Sequence, residues 1–154
     1  MLSYLADGLR FLSFEGSWSL KPHEALTLNA ALEWLAGDLE SVARAQLAQR
    51  YFVERMSNGR IPCFRYYRMD PGLKFAGPLG SGDHFINVVQ KVERRNLTAK
   101  CVLHDGVVFG LEFPKPGNFF KNADIEVVSV SCDETAFSYT DALDRAEHGI
   151  DRSD

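Results

Sequence analysis

The stretch Gly77-Pro78-Leu79-Gly80-Ser81-Gly82-Asp83-His84 is the first place where residue types and spacing suggest chemistry. Its glycines let backbone amides approach a ligand, and the adjacent carboxylate and imidazole could form an oriented base. A ligand or a reaction would then be handled by Gly80, Gly82, Asp83 and His84. The pattern is not a phosphate-binding loop, because no lysine followed by Ser or Thr comes after the last glycine. The simpler reading, a surface connection whose glycines turn corners while His84 opens a strand, weighs more, since short glycine-rich loops are common.

Cys63, Cys101 and Cys132 are odd in number and widely spaced, so neither a disulfide framework nor a zinc site is implied. With His84 and His104 they could supply a nucleophile and base, but nothing in the spacing marks an activated thiolate, and packing is the favoured role. His23 and His148 lie in polar sequence surroundings, and no spacing links any histidine to Cys, Asp or Glu as metal ligands. No metal and no cofactor is expected.

Arg60-Ile61-Pro62-Cys63-Phe64-Arg65-Tyr66-Tyr67-Arg68 interleaves cations with aromatics. Stacking on bases and pairing with phosphates would need such a strand, and so would a protein-binding patch, since Tyr and Arg are enriched at hot spots. The stretch lacks the glycine-aromatic pattern of an RNA-recognition strand and sits in a chain of net charge −4. The plainest reading is an edge strand with one packed face, its arginines paired to acidic residues later in the chain.

That net charge conceals three blocks. Met1–Glu40 carries −4, Ser41–Lys100 carries +7 and Cys101–Asp154 carries −7. Such blocks either present charged surfaces to partners or neutralise one another after folding. The acidic residues Asp124, Glu126, Asp133 and Glu134 form one candidate patch for a basic partner, and Arg65, Tyr66, Tyr67 and Arg68 form another.

These groups must be held by a fold, and 154 residues with 45% hydrophobic content suffice for one core. Leu9–Phe14 alternates weakly and reads as a first strand. Pro22 then opens a helical rhythm, in which Leu28, Leu32, Leu35, Leu39, Val42 or Ala43, Leu47 and Phe52 keep to one helical stripe, mostly at steps of three and four. Gly37-Asp38 interrupts it, giving either two helices, roughly Pro22–Ala36 and Leu39–Met56, or one kinked helix. Ser57-Asn58-Gly59 ends the helical region.

Strands follow at Arg60–Met69, His84–Glu93, Leu97–Leu103, Val107–Phe113 and Ile125–Val130. A three-residue loop, His104-Asp105-Gly106, would align Leu103 with Val107 and Cys101 with Phe109. It makes one face wholly apolar and leaves Thr98, Lys100, Val102, Val108 and Glu112 on the other. The expected fold is α+β: N-terminal helical segments on one face of a mostly antiparallel sheet of four to six strands. Residues 1–140 would form one domain and residues 141–154 an acidic, frayed tail.

No apolar run reaches the length of a spanning helix, and Asp7 and Arg10 interrupt the start where a signal peptide would be apolar. The chain is expected to be cytoplasmic. Without a nucleophile, metal or cofactor signature, the leading expectation is a non-enzymatic protein-binding module. An inhibitor or immunity-type protein that neutralises a basic toxin or enzyme would be one concrete form. A small-ligand or catalytic domain using Gly80–His84 is the second reading, and a nucleic-acid module using Arg60–Arg68 the third. The sequence leaves the oligomeric state open.

Overall fold

Pro22 opens the helix that organises the fold, α2 (Pro22–Leu35), at a position where its missing N–H is not needed. Glu24 closes the N-terminus by accepting the backbone N–H of Lys21 at 2.8 Å. His23, Thr27, Leu28, Ala31, Leu32 and Leu35 are buried at helical spacing. The helix breaks at Ala36, whose φ of 55° and ψ of 167° suit glycine far better than alanine. A second helix, α3, then runs Gly37–Leu47.

This α3 stops well short of Met56. Tyr51–Met56 is strand β2, although Phe52 kept the helical phase in sequence. The aromatic and β-branched run Tyr51-Phe52-Val53 instead pairs with β3 (Ile61–Tyr66) across a turn in which Ser57, Asn58 and Gly59 all take positive φ.

The structure, a computed structural model, describes residues 2–12 and 16–132. At its start Leu2–Leu12 forms a helix, α1, where a strand from Leu9 was expected. The i, i+4, i+7 spacing of Leu5, Leu9 and Leu12 outweighs the weak alternation that follows. Asp133, Glu134 and the acidic segment 141–154 lie outside the described residues. Among the described residues, no helix is long and apolar enough to cross a membrane.

With β1 (Gly16–Ser17), β4 (Asp83–Val92), β5 (Arg95–His104), β6 (Val107–Glu112) and β7 (Ile125–Cys132), the described residues form a sheet of seven antiparallel strands in the order β1-β2-β3-β6-β5-β4-β7. The expectation of four to six fell short because β2 was read as helix and β1 is only two residues long. The α+β architecture is as expected, but β3 is interior, between β2 and β6, and not an edge.

The β5–β6 hairpin corrects another expectation. Its loop is the two residues Asp105 and Gly106, at φ 46° and 80°, and it pairs Leu103 with Val108, not Val107. A register shift follows, so that Val102 faces Gly110 and Cys101 faces Leu111. One extra residue in β6 thus restores the apolar face that an unbulged two-residue hairpin would scramble. Val108, expected on the polar face, is buried, while Phe109, expected opposite Cys101, is exposed. Gln46 of α3 secures the bulge: its Oε1 accepts the Val108 N–H at 2.8 Å, and its Nε2 donates to Gly106 O and Leu73 O at 2.9 and 2.7 Å.

The core lies between α2–α3 and one sheet face, with Leu28, Ala31, Leu32 and Leu35 packed in the same cluster as Val53, Phe64, Val88, Cys101 and Leu111. Cys101 is buried there as expected, and burial pushes its thiol pKa up to about 12. His23, expected in polar surroundings, is buried, stacked on Phe120 at 4.7 Å and edge-on to Phe113 at 5.0 Å. Arg55 of β2 meets the buried Glu24 through two hydrogen bonds of 2.8 and 2.7 Å.

Candidate functional site

Strand alternation sends Phe64 and Tyr66 toward the helices α2 and α3 and Arg65 to the opposite face of the sheet. The two sides are used differently. Tyr66 donates its hydroxyl to Val108 O at 2.9 Å and packs against the core. Burial, foremost, raises its pKa. Arg65 pairs with Asp7 of α1, and more loosely with Glu54 at 3.9 Å. Tyr67 donates to the other oxygen of Asp7 at 2.6 Å and accepts from the Trp18 indole at 3.0 Å. Its ring stacks on Tyr4 at 4.2 Å, and the Arg50 guanidinium lies 4.8 Å from the Tyr4 ring centre. Arg68 is exposed. The Arg/Tyr strand therefore acts as the seat of α1, with the fully buried Asp7 carboxylate as the bolt.

What this clamp presents is a row of leucines. With Asp7 and Tyr4 turned to the sheet, Leu5, Leu9 and Leu12 are 65%, 68% and 72% exposed. They fall on one side of the helix, in a line over two turns. Trp18, also partly exposed, sits beside the clamp. Large apolar side chains exposed singly are ordinary, whereas these three adjoin on one face of a short helix. Their helical spacing was legible in the sequence, but Leu9 and Leu12 fell within the stretch expected to form a strand.

The glycine-rich loop divides its two chemical groups. His84 is buried on the helix-covered face and bonds through Nε2 to Ser81 O at 2.9 Å. Asp83 points the other way and meets His104 Nδ1 at 2.5 Å, so the carboxylate–imidazole pair is Asp83–His104. Asp105 lies 3.4 Å from His104 Nε2. The hydrogen bond that Asp83 accepts from His104, with the charges of Asp105 and Asp83, raises the His104 pKa. Both ring nitrogens thus face carboxylates, an arrangement that holds an imidazolium and does not present a free base. Gly82 N–H donates to Asp105 at 2.9 Å, tying the loop to the β5–β6 turn, and Gly80 sits against the backbone of Phe75.

His104 lines a cavity of about 570 Å³ on the open sheet face, together with Cys63, Arg65, Lys74 and Phe109. Burial, with the charges of Glu54 and Glu112, pushes the Cys63 thiol up, away from the thiolate a nucleophile requires. No group of His, Cys, Asp and Glu fit to hold a metal occurs among the described residues.

The charge blocks meet in part within the molecule. Arg44, Arg55 and Arg65 of the basic block pair with Glu40, Glu24 and Asp7 of the N-terminal acidic block. Arg60 is also engaged, donating to Phe113 O at 3.2 Å. Asp124 and Glu126 are exposed at the start of the edge strand β7, with Glu126 opposite Lys91 in register. No protein-family model, curated protein or solved structure matches this chain.

Proposed function

We propose that this chain is a non-enzymatic protein-binding module whose docking element is α1. The exposure of Leu5, Leu9 and Leu12 on a helix bolted to the sheet through Asp7 carries the reading. Such a helix offers i, i+4, i+7 anchors to an apolar groove on another protein, and its docked state lowers the entropy lost on binding. A protein groove suits it better than a lipid surface, because Asp7 and Arg10 are its only charged residues and interfacial helices draw on Lys/Arg-rich polar faces.

In its concrete form the module is an inhibitor or immunity-type protein for a basic toxin or enzyme, with Asp124, Glu126, Asp133 and Glu134 steering the encounter. The nucleic-acid alternative is weaker, because Arg60 and Arg65 are engaged internally. The catalytic alternative around Gly80–His84 loses its oriented base to the Asp83–His104 pairing.

The test is affinity capture from nuclease-treated lysate of the source cells, comparing the wild type with a Leu5→Asp/Leu9→Asp/Leu12→Asp variant. Circular dichroism establishes that both fold. A stoichiometric protein retained by the wild type should be released by the variant, with affinity lower by about 100-fold or more, since each buried leucine contributes about 1.5–3 kcal/mol. Identical retention by the two would remove α1 as the docking element.

A further inference from the structure

A cavity of about 850 Å³ opens between the first turn of α2 and the segment 117–125 that leads into β7. Lys21, His23, Leu26, Phe120, Lys121 and Ile125 are among its walls. We propose that this cavity is a binding site for a small organic monocarboxylate with an apolar body. It is separate from the surface of α1 and does not depend on the protein-binding reading.

The central observation is His23. Its side chain is 4% exposed, held between Phe120 and Phe113, and its Nε2 is buried without a hydrogen-bond partner. An unsatisfied buried polar atom costs about 1–3 kcal/mol, so a fold keeps one where something else supplies the partner. A carboxylate oxygen is such a partner for an imidazole N–H. Desolvation lowers the His23 pKa, Glu24 opposes this, and Lys21 and Arg55 add to it. Burial therefore favours the neutral ring, which donates from one nitrogen without first gaining a proton.

The charge of the walls agrees. Lys21 and Lys121 stand against the single carboxylate of Asp124, and the cavity lies at the positive end of the 14-residue α2. Asn118 and Asn122 add amide groups to the same walls. The rest is apolar, with Pro22, Leu26, Phe120, Ala123 and Ile125 available to a hydrocarbon or aromatic body. Among the described residues its walls contain no arginine to grip a dianion bidentately, which favours one negative charge over a phosphate.

The experiment is an NMR titration of the full ¹⁵N-labelled chain with butyrate, octanoate and 4-phenylbutyrate, and with 4-phenylbutyramide as the uncharged control. At least one carboxylate should shift the His23 ring nitrogen and the amides of 117–125 saturably. The amide should bind about ten-fold more weakly than its acid, the loss of roughly one charge-assisted contact. Lys121→Met, an exposed substitution that should leave folding intact, should weaken the carboxylate several-fold and leave the amide unaffected. Saturable shifts with none of the three acids, equal affinity for acid and amide, or shifts confined to other regions would each overturn the proposal.

Discussion

Helices α2 and α1 lie on opposite sides of one sheet and are built in opposite senses. The first turns Leu28, Leu32 and Leu35 into the core. The second turns Asp7 toward the sheet and Leu5, Leu9 and Leu12 to solvent. Burial of apolar area secures α2, whereas a carboxylate shared by Arg65 and Tyr67, with a Tyr4–Tyr67 stack, secures α1. A polar attachment gives up stability that leucines facing inward would have supplied. In return it leaves Leu5, Leu9 and Leu12 exposed, the feature on which the proposed docking role of α1 rests.

The largest effect that would sharpen the contrast is truncation of matched leucines. Leu32→Ala should lower stability by about 3 kcal/mol, the transfer and cavity terms together, and Leu9→Ala by less than about 0.5 kcal/mol. Chemical denaturation of the two variants measures both. Equal losses would mean that α1 is packed like α2 and would remove the comparison.

Next comes the bolt. Asp7→Ala leaves Arg65 and Tyr67 without their shared acceptor and should cost about 2 kcal/mol, discounted because Arg65 is partly exposed. The loss should be local, so hydrogen exchange in residues 2–12 should accelerate while α2 amides stay protected. A smaller effect, of opposite sign, is expected where α2 ends. Ala36→Gly relieves the positive φ and should raise stability by about 1 kcal/mol in the same denaturation assay.

The smallest effect concerns the sheet face that α1 leaves open. The folded-state pKa of His104 is raised, so its favourable pairing with Asp83 is fully present below the unfolded value near 6.5 and is lost as pH rises through the folded one. Asp83→Asn should bring the His104 titration, followed by imidazole NMR, down toward that ordinary value. An unchanged midpoint would show that Asp83 is not its partner.

Sequence periodicity revealed α2, because Leu28, Leu32 and Leu35 repeat at helical steps and Pro22 marks the start. It misplaced the end of α3, because Phe52 happens to continue the phase, and only pairing with Arg65 across the sheet makes Tyr51–Met56 a strand. The bulge in β6 was not legible either. It is fixed by Gln46, a residue far away in sequence that accepts the Val108 N–H. Of the candidate site residues, Arg65 and Tyr67 were singled out for surface recognition, but their bond to Asp7 is a tertiary fact that no local pattern carries. The leucines of α1 were legible by spacing, and the strand reading of Leu9–Phe14 hid them. His23 was read as lying in polar surroundings because its aromatic neighbours, Phe113 and Phe120, lie about ninety residues further along.

At the seam between β3 and β6, a Cβ on Gly110 would sit 2.6 Å from Pro62 O, and Cys63–Gly110 is the paired position that joins these strands. On either side of that seam lie neighbours in sequence: β2 with β3, and β4 with β5 and β6. Two local meanders, β2–β3 and β4–β5–β6, thus meet at a seam with a single paired position, flanked by the bonds of Tyr66 to Val108 O and of Arg60 to Phe113 O. Closing that seam, like docking β7 on β4, joins residues far apart in the chain, so these long-range pairings, and not formation of the local hairpins, are expected to set the pace of folding.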